Sequence, residues 1–219
     1  MSTLQTLGKL SRLVLSNRAR LRSLLSFNEK GYLDEIGWFK AFDSKSPVDQ
    51  DGNPIPWVTY SFIDFIKGRL TKQHTVFEFG SGNSTFFYAK YAGLVVSVEH
   101  DKEWYDKIVK SKPENSEMIF CELVRGGDYC HMPVKLEEKF DIIIVDGRDR
   151  VNCCKQAVNA LSPNGVVVLD DTEREFYNEG MEFLKRQGFK KLLFSGISPG
   201  LFYNKSTSVF YKADNCLGI

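Results

Sequence analysis

The sequence predicts a doubly wound α/β fold, in which helices cover both faces of a mostly parallel β-sheet. Three observations carry this prediction. Short apolar segments alternate with helical segments along residues 57–212, a glycine-rich turn joins one strand candidate to the next helix, and carboxylates directly follow several strand candidates. Strands that are apolar on both faces are typical of a parallel sheet buried between two helical layers.

Seven segments rich in Val, Ile, Leu and Phe are the strand candidates: Thr75–Phe79, Leu94–Glu99, Met118–Leu123, Asp141–Asp146, Val166–Asp170, Lys191–Phe194 and Ser208–Lys212. Helical patterns separate most of them and also precede the first: Trp57–Leu70, Ser84–Tyr91, Glu103–Lys110, Arg150–Leu161 and Glu175–Gln187. Too few residues join the last two strands to form a good helix. We therefore expect these two strands to pair in antiparallel fashion at one edge of the sheet.

The length and composition are those of an ordinary globular chain with one domain. The chain has 219 residues, of which 42% are hydrophobic and 26% charged, and its formal net charge of +1 predicts no nucleic-acid partner. Five cysteines without a C-x-x-C spacing argue against a disulfide framework or a zinc cluster, so we expect a cytoplasmic protein. We expect neither secretion nor a membrane span, because these 219 residues contain no apolar run of about 18 residues and no pattern typical of a signal peptide.

The N-terminal segment has a different character from the rest of the chain. Residues 3–26 combine leucines at helical spacing with lysines and arginines, which predicts a basic amphipathic helix. This helix can pack on its own domain, on a second subunit of a homodimer, or on an anionic membrane surface, and the sequence does not separate these interpretations. We expect the helix and a linker to occupy residues 1–56, and the main domain residues 57–219.

The run EFGSGNST at residues 78–85 is the most informative motif. Gly80 and Gly82 lack a Cβ, so the chain can bend sharply there and a ligand can approach the backbone. Asn83 or Ser84 is expected to cap the following helix. A dinucleotide fingerprint needs a third glycine at the position of Thr85, and Glu78 would repel a pyrophosphate. The motif therefore favours a cationic ligand.

Two later segments extend this ligand site. Glu99 ends the second strand roughly 20 residues after the glycine turn, where a carboxylate accepts both hydroxyls of a ribose, and His100 follows it. After the third strand, Asp128 is placed to accept from an adenine amino group and Tyr129 to cover the ring, although an ordinary turn explains this segment equally well.

These motifs together resemble those of the class I S-adenosylmethionine-dependent methyltransferases. The resemblance covers roughly residues 57–212 and depends on EFGSGNST, VSVEHD, GGDYCHMP before FDIIIVDG, and GVVVLDD in that order. It implies a Rossmann-like, seven-stranded sheet whose last strand is antiparallel. It also implies an S-adenosylmethionine site formed by Glu78, Gly80, Ser81, Gly82, Asn83, Ser84, Glu99, His100, Asp128, Tyr129 and Asp146.

The expected reaction centre contains Asp146 after the fourth strand and Asp170 and Asp171 after the fifth. Converging carboxylates need a cation, a shared proton or solvent. The arrangement is similar to that of metal-dependent O-methyltransferases acting on catechols and sugar hydroxyls, which implies that all three carboxylates bind Mg²⁺. Without a metal, Asp146 would contact the amino group of the cofactor, and Asp170 or Asp171 would cap the next helix or act as a base.

Other residues are candidates for roles in catalysis or acceptor binding. His131, and less so His100, is a candidate general base because imidazole titrates near neutral pH. Arg148, Asp149 and Arg150 are expected either to bind an anionic acceptor or to lie in a solvated loop. The aromatic segment at residues 196–203 is a candidate roof for the acceptor pocket.

The sequence thus predicts an S-adenosylmethionine-dependent methyltransferase that methylates a hydroxyl of a small molecule or of a sugar or glycan. Three alternatives remain: an aminopropyltransferase, a nicotinamide oxidoreductase and a cofactor-binding subunit without catalysis. Glu78 and the missing third glycine count against the nicotinamide enzyme.

Overall fold

The computed structural model of the chain describes residues 31–219, together with Gly8, Ser11, Arg18, Ala19, Arg22 and Ser23. Apart from these six residues, the basic amphipathic helix expected over residues 3–26 lies outside the described part, and it stays a prediction. No helix among the described residues is long and apolar enough to cross a bilayer.

Seven strands form a single sheet. They are β1 (Thr75–Phe79), β2 (Leu94–Glu99), β3 (Ser116–Phe120), β4 (Phe140–Val145), β5 (Leu161–Asp170), β6 (Lys190–Gly196) and β7 (Lys205–Tyr211). Their spatial order is β3-β2-β1-β4-β5-β7-β6. The strands β1 to β5 pair in parallel, whereas β7 is antiparallel to both β5 and β6. The expected antiparallel pair at one edge of the sheet is therefore confirmed.

Helices connect these strands in the pattern of a doubly wound fold. The helices of the described residues are α1 (Tyr32–Glu35), α2 (Trp38–Ser44), α3 (Tyr60–Lys67), α4 (Asn83–Tyr91), α5 (Lys102–Ile108), α6 (Asp128–Lys135), α7 (Arg150–Ala160) and α8 (Asn178–Arg186). Short 3₁₀ turns follow α5 and precede α8.

Alternate residues of the central strands bury opposite faces of the sheet. Val76 and Ile142 belong to one core layer, and their neighbours Phe77 and Ile143 belong to the other. The first layer also contains Trp38, so α2 packs against the same core as the sheet. Burial on both faces explains why the strands read as continuous apolar runs, and the predicted fold class is confirmed.

The structure differs from the sequence prediction mainly after β3. The strand ends at Phe120 instead of Leu123, and residues expected to form a loop begin the helix α6 at Asp128. Gly127 precedes this helix in an extended conformation, and Pro133 lies inside it. Because proline is unfavourable in a helix interior, Pro133 argued against predicting a helix in this segment.

Candidate cofactor and reaction site

A sharp bend after β1 exposes backbone at the carboxyl edge of the sheet. Gly80 has a φ of 97° and Gly82 a φ of 148°, which side-chain-bearing residues rarely adopt. A Cβ on Gly82 would also contact the ring of Trp104 at 3.4 Å. Gly82 itself is the N-cap of α4, and its amide donates to the Thr85 hydroxyl at 3.1 Å. The prediction that Asn83 or Ser84 caps this helix was therefore wrong.

Glu78 is a buried carboxylate beside this bend. Only 2% of the residue is exposed, and its Oε2 accepts from the hydroxyls of Thr85 at 2.7 Å and Ser97 at 3.0 Å. Burial raises the pKa of Glu78 to about 7, against the opposing effect of hydrogen bonds from Ser84, Thr85 and Ser97. Glu78 makes no ion pair with any described residue. A buried carboxylate with hydroxyl partners alone favours a cationic ligand.

Glu99 has a different environment, because it holds the bend and the end of β2 together. Its Oε2 accepts from the amide and the hydroxyl of Ser81 at 3.1 and 3.0 Å. Its Oε1 accepts from the amides of His100 and Asp101 at 2.7 and 2.9 Å. Since a carboxylate has about four acceptor positions, a ribose at Glu99 has to share or displace the Ser81 hydroxyl.

Arg150 at the start of α7 organises the end of β4. Its side chain is 10% exposed and lies 2.9 Å from Oδ1 of Asp146 and 3.1 Å from Oδ2 of Asp171. The guanidinium also donates to the backbone carbonyls of Asp146, Gly147 and Asp170 at 2.9, 3.0 and 2.7 Å. Arg150 is thus a buried anchor of the strand ends instead of a residue of a solvated loop. It also lines a cleft together with Asp146, so its contact with an acceptor stays a prediction.

Lys205, the first residue of β7, compensates the carboxylates after β5. Its Nζ lies 2.5 Å from Oδ2 of Asp170 and 3.1 Å from Oδ1 of Asp171, and it donates to the carbonyl of Trp57 at 2.7 Å. Thr207 donates to the other oxygen of Asp170 at 2.7 Å. Asp170 is fully buried and Asp171 is 3% exposed, so both depend on these partners.

The expected Mg²⁺ site does not fit these contacts. Arg150 and Lys205 reach all three carboxylates, and Arg174 lies 3.2 Å from Oδ2 of Asp171 as a third cation. Within residues 31–219 and the six described N-terminal positions, no three His, Cys, Asp or Glu residues form a group that could hold a metal ion. The protein's own cations fill the electrostatic role that the sequence analysis assigned to a metal.

Asp146 and Asp170 are coupled electrostatically. Burial, followed by the charge of Asp146, raises the pKa of Asp170 to about 8. Burial also raises the pKa of Asp146, whereas Arg150 and Lys205 act in the opposite direction. The pair therefore retains a proton near neutral pH. The side chain of Asp146 is 24% exposed and faces the cleft, while Asp170 lies behind it.

Seven of the expected residues surround a single cleft of about 310 Å³ at the carboxyl ends of β1, β2 and β4. They are Glu78, Gly80, Ser81, Ser84, Glu99, His100 and Asp146. Four further residues that line this cleft were not expected from the sequence to contribute to a site, namely Phe79, Gly147, Arg174 and Tyr177. The two remaining residues of the bend lie beside it, since Gly82 and Asn83 line an adjoining cleft.

Three expected site residues lie elsewhere. The side chain of Asp128 is 73% exposed and pairs with Lys135 at 2.6 Å, because Asp128 begins α6 on its solvent side. Tyr129 is fully buried, with its ring centroid 5.7 Å from that of Phe79. His131 Nδ1 lies 2.8 Å from the carbonyl of Gly127. None of the three lines the cleft, so the structure does not bring them together with the other expected site residues.

The fold is shared with solved structures of methyltransferases. A methyltransferase-like protein from Silicibacter pomeroyi has a TM-score of 0.53 and 20% identity, over 73% of this chain and 89% of its own. A precorrin-6y C5,15-methyltransferase from Geobacter metallireducens has a TM-score of 0.55 and 14% identity, over 78% and 96%. An rRNA methylase from Streptococcus thermophilus has a TM-score of 0.50 and 16% identity, over 68% and 92%.

No protein-family model and no curated protein sequence matches this chain. At these low identities the structural likeness concerns the fold. The chain has a Rossmann-like fold of the kind found in these methyltransferases.

Proposed function

We propose that this protein is an S-adenosylmethionine-dependent methyltransferase that methylates a hydroxyl of a small molecule or of a sugar or glycan. The observation that carries the proposal is the environment of Glu78. It is a buried carboxylate without a cation partner among the described residues, it lies beside a glycine bend, and it faces an open cleft. A nucleoside ligand that carries a positive charge would supply the missing cation partner at such a site.

Several residues fit this cofactor. Glu78 would accept from its ammonium group, the bend at Gly80 would admit it close to the backbone, and Glu99 would face its ribose. The Ser81 hydroxyl, which lies 3.0 Å from Oε2 of Glu99, can rotate away to release that acceptor position. When bound, S-adenosylmethionine supplies an electrophilic methyl group on a positively charged sulfur.

Asp146 is the residue proposed to serve the acceptor. Methylation of a hydroxyl would form a carbon–oxygen bond while the bond between the methyl carbon and the cofactor sulfur breaks and leaves its electron pair on sulfur. The hydroxyl proton is released, which needs a base in the cleft. Asp146 faces the cleft, and Arg150 fixes its orientation through Oδ1 at 2.9 Å. Burial and the charge of Asp171 raise the pKa of Asp146, which favours its acceptance of that proton, whereas its hydrogen bond with Asp170 acts in the opposite direction. No metal is required in this scheme.

The cofactor assignment is tested by calorimetric titration with S-adenosylhomocysteine and with NAD. We expect binding of the first ligand alone, and Glu78→Gln should weaken that binding about tenfold because an ammonium partner is lost. Glu182→Gln is the matched control, since Glu182 is an exposed glutamate that pairs with Lys185. Preferential binding of NAD, or equal affinity of the E78Q variant and wild type, would overturn the assignment.

The acceptor assignment is tested separately by transfer of a labelled methyl group to extracts fractionated into small molecules, glycans and RNA. The proposal expects label in the first two fractions. The labelled methyl group should be bound to oxygen, and not to nitrogen or carbon. Label confined to the RNA fraction would overturn the proposed small-molecule or glycan acceptor. It would favour RNA, the acceptor that is named for one structural neighbour, an rRNA methylase.

A further inference from the structure

A second cleft, which we call the side cleft, opens from the cofactor cleft beside Asp146. Its volume is about 230 Å³, and it shares Ser81, Ser84 and Asp146 with the cofactor cleft. A different pocket meets the cofactor cleft at Arg148 and contains Leu123 from the segment after β3. The side cleft shares no lining residue with that pocket, and it contains Asp146, the proposed base.

Two indole rings line the side cleft. Trp57 is 42% exposed and Trp104 is 39% exposed, whereas the remaining tryptophan, Trp38, is 6% exposed. The ring nitrogens of the two exposed residues are already engaged, because Trp57 donates to the carbonyl of Pro199 at 2.8 Å and Trp104 to that of Ser81 at 2.9 Å. These bonds fix the two rings and leave their apolar surfaces as the groups available to a ligand.

The wall opposite α4 is also fixed, and it carries a positive charge. Asn83 donates to the Ser46 hydroxyl at 3.1 Å and to the Pro47 carbonyl at 2.7 Å, which ties this wall to the start of α4. Lys45 precedes it, lines the side cleft and makes no ion pair with any described residue. Its ammonium lies 3.9 Å from the ring centroid of Phe42. A ligand in the side cleft therefore meets aromatic surface and one uncompensated cation.

We propose that the side cleft is the acceptor site, and that the acceptor is a ring-bearing hydroxyl compound with an acidic substituent. The ring, aromatic or sugar, packs on the indoles of Trp57 and Trp104, and the acidic group meets Lys45. Its hydroxyl then faces Asp146, the residue that both clefts share. This inference rests on the proposed function and adds to it the substrate class and the residues that select it.

The test measures transfer of labelled methyl groups from S-adenosylmethionine to four probes. 4-Hydroxybenzoate and glucose 6-phosphate represent the aromatic and the sugar source, methyl 4-hydroxybenzoate is the neutral counterpart, and glycerol 3-phosphate is the acyclic anion. We expect methylation of at least one anionic ring probe and none of glycerol 3-phosphate. Lys45→Met should raise KM about fivefold for the anionic ring and leave that of the neutral ester unchanged.

The variants of Trp57 provide the sharper measurement, because Trp57 does not line the cofactor cleft. Trp57→Ala should raise KM for the ring acceptor about tenfold, with kcat and the affinity for S-adenosylhomocysteine unchanged. Trp57→Phe should keep KM within about threefold of wild type, since a ring surface remains. Tyr32→Ala is the control, because Tyr32 is an exposed aromatic residue that lines neither cleft.

A fluorescence measurement covers the case in which W57A fails to fold. Ring probes should quench the tryptophan emission of wild-type protein saturated with S-adenosylhomocysteine, and glycerol 3-phosphate should not. Failure of wild type to bind S-adenosylhomocysteine would reject the proposed function. Intact binding of S-adenosylhomocysteine without methylation of any ring probe, or with equal KM in W57A and wild type, would overturn this inference alone.

Discussion

Two groups of carboxylates lie at the same edge of the sheet, but their electrostatic environments are opposite. Glu78 and Glu99, at the ends of β1 and β2, are held by hydroxyls, amides and the ring of His100. The three aspartates after β4 and β5 are held by the side chains of two arginines and one lysine, namely Arg150, Arg174 and Lys205. All of these carboxylates except Asp146, which is partly exposed to the cleft, are buried, and only the second group contains its own cations.

This difference decides what each group can bind. An uncompensated carboxylate in a low dielectric environment gains from a cationic ligand, because the ligand offsets the cost of desolvation. A compensated group has no such gain, since a metal ion would have to displace cations that are already hydrogen bonded. This contrast supports the proposal that the first group binds a ligand and that the second is a rigid support that presents Asp146 to the cleft.

The largest expected effect comes from removing the cation of the second group. Lys205→Met should lower the free energy of unfolding by about 3 kcal/mol, because buried Asp170 loses its closer cation beside Asp146 and keeps only Arg150, at 3.9 Å. The double variant Lys205→Met/Asp170→Asn should recover most of this loss. Denaturant unfolding measures both values.

Lys102→Met provides the reference for that experiment. Lys102 pairs with Asp106 at 2.6 Å, but both side chains are more than half exposed, so the variant should cost less than about 1 kcal/mol. Equal losses in K205M and K102M would show that the aspartates do not depend on Lys205.

The next effect concerns the pH dependence of ligand binding to the first group. The pKa of Glu78 is raised to about 7, so its ionised fraction increases about tenfold between pH 6 and pH 8. Affinity for S-adenosylhomocysteine should increase by about the same factor, because the ammonium group needs the ionised form. Titration calorimetry at both pH values, with E78Q as the variant that should lose this dependence, measures it. A flat profile in wild type would contradict the assignment of Glu78.

The ionisation of Glu78 should also affect the stability of the fold, but with the opposite dependence on pH. Folded Glu78 keeps its proton up to about pH 7, whereas the unfolded chain releases it near the ordinary pKa of 4.5. The unfolded state binds fewer protons in this window, so the free energy of unfolding should fall as pH rises from about 4.5 to 7. Chemical unfolding across this range should show a steeper decrease in wild type than in E78Q.

A smaller effect is expected at Ser81. Ser81→Ala removes the hydroxyl that donates to Oε2 of Glu99 at 3.0 Å and should cost about 1 kcal/mol of stability. The affinity for S-adenosylhomocysteine should stay within about threefold, since the freed oxygen becomes available to a ribose. A loss of binding without a loss of stability would show that Ser81 itself contacts the ligand.

Divalent metal ions should have no effect on the protein, so this prediction comes last in the series. Neither MgCl₂ nor EDTA should change the melting temperature or the affinity for S-adenosylhomocysteine, because Arg150 and Lys205 already compensate the aspartates. Differential scanning fluorimetry checks the first quantity. A rise in melting temperature that saturates with Mg²⁺ would restore the metal site.

The parts of the molecule that depend on local pattern could be predicted from the sequence. The sheet followed from apolar runs, and the bend followed from Gly80 and Gly82 between a strand and a helix. The cleft residues Glu78, Glu99 and Asp146 followed from their positions at strand ends. Each of these statements needs only the order of neighbouring residues and the geometry of a parallel sheet.

The failures share a physical origin in contacts between distant segments. Lys205 compensates Asp170 across 35 positions of sequence, which no local pattern reveals. Because α6 begins at Asp128, the Asp128 side chain is exposed to solvent and the Tyr129 side chain lies in the core. Pro133 had argued against a helix in this segment of the sequence. The side cleft was missed because Trp57 lies far from the glycine bend in sequence.

The position of β7 has a consequence for how the protein is made. This strand is the last of the seven in the chain, yet it lies between β5 and β6. During synthesis on the ribosome, Asp170 and Asp171 emerge before Lys205 and stay without this counterion until the seventh strand has left the exit tunnel. The edge of β5 is open over the same interval, so a chain stalled there exposes both unpaired backbone and unbalanced charge to chaperones and proteases.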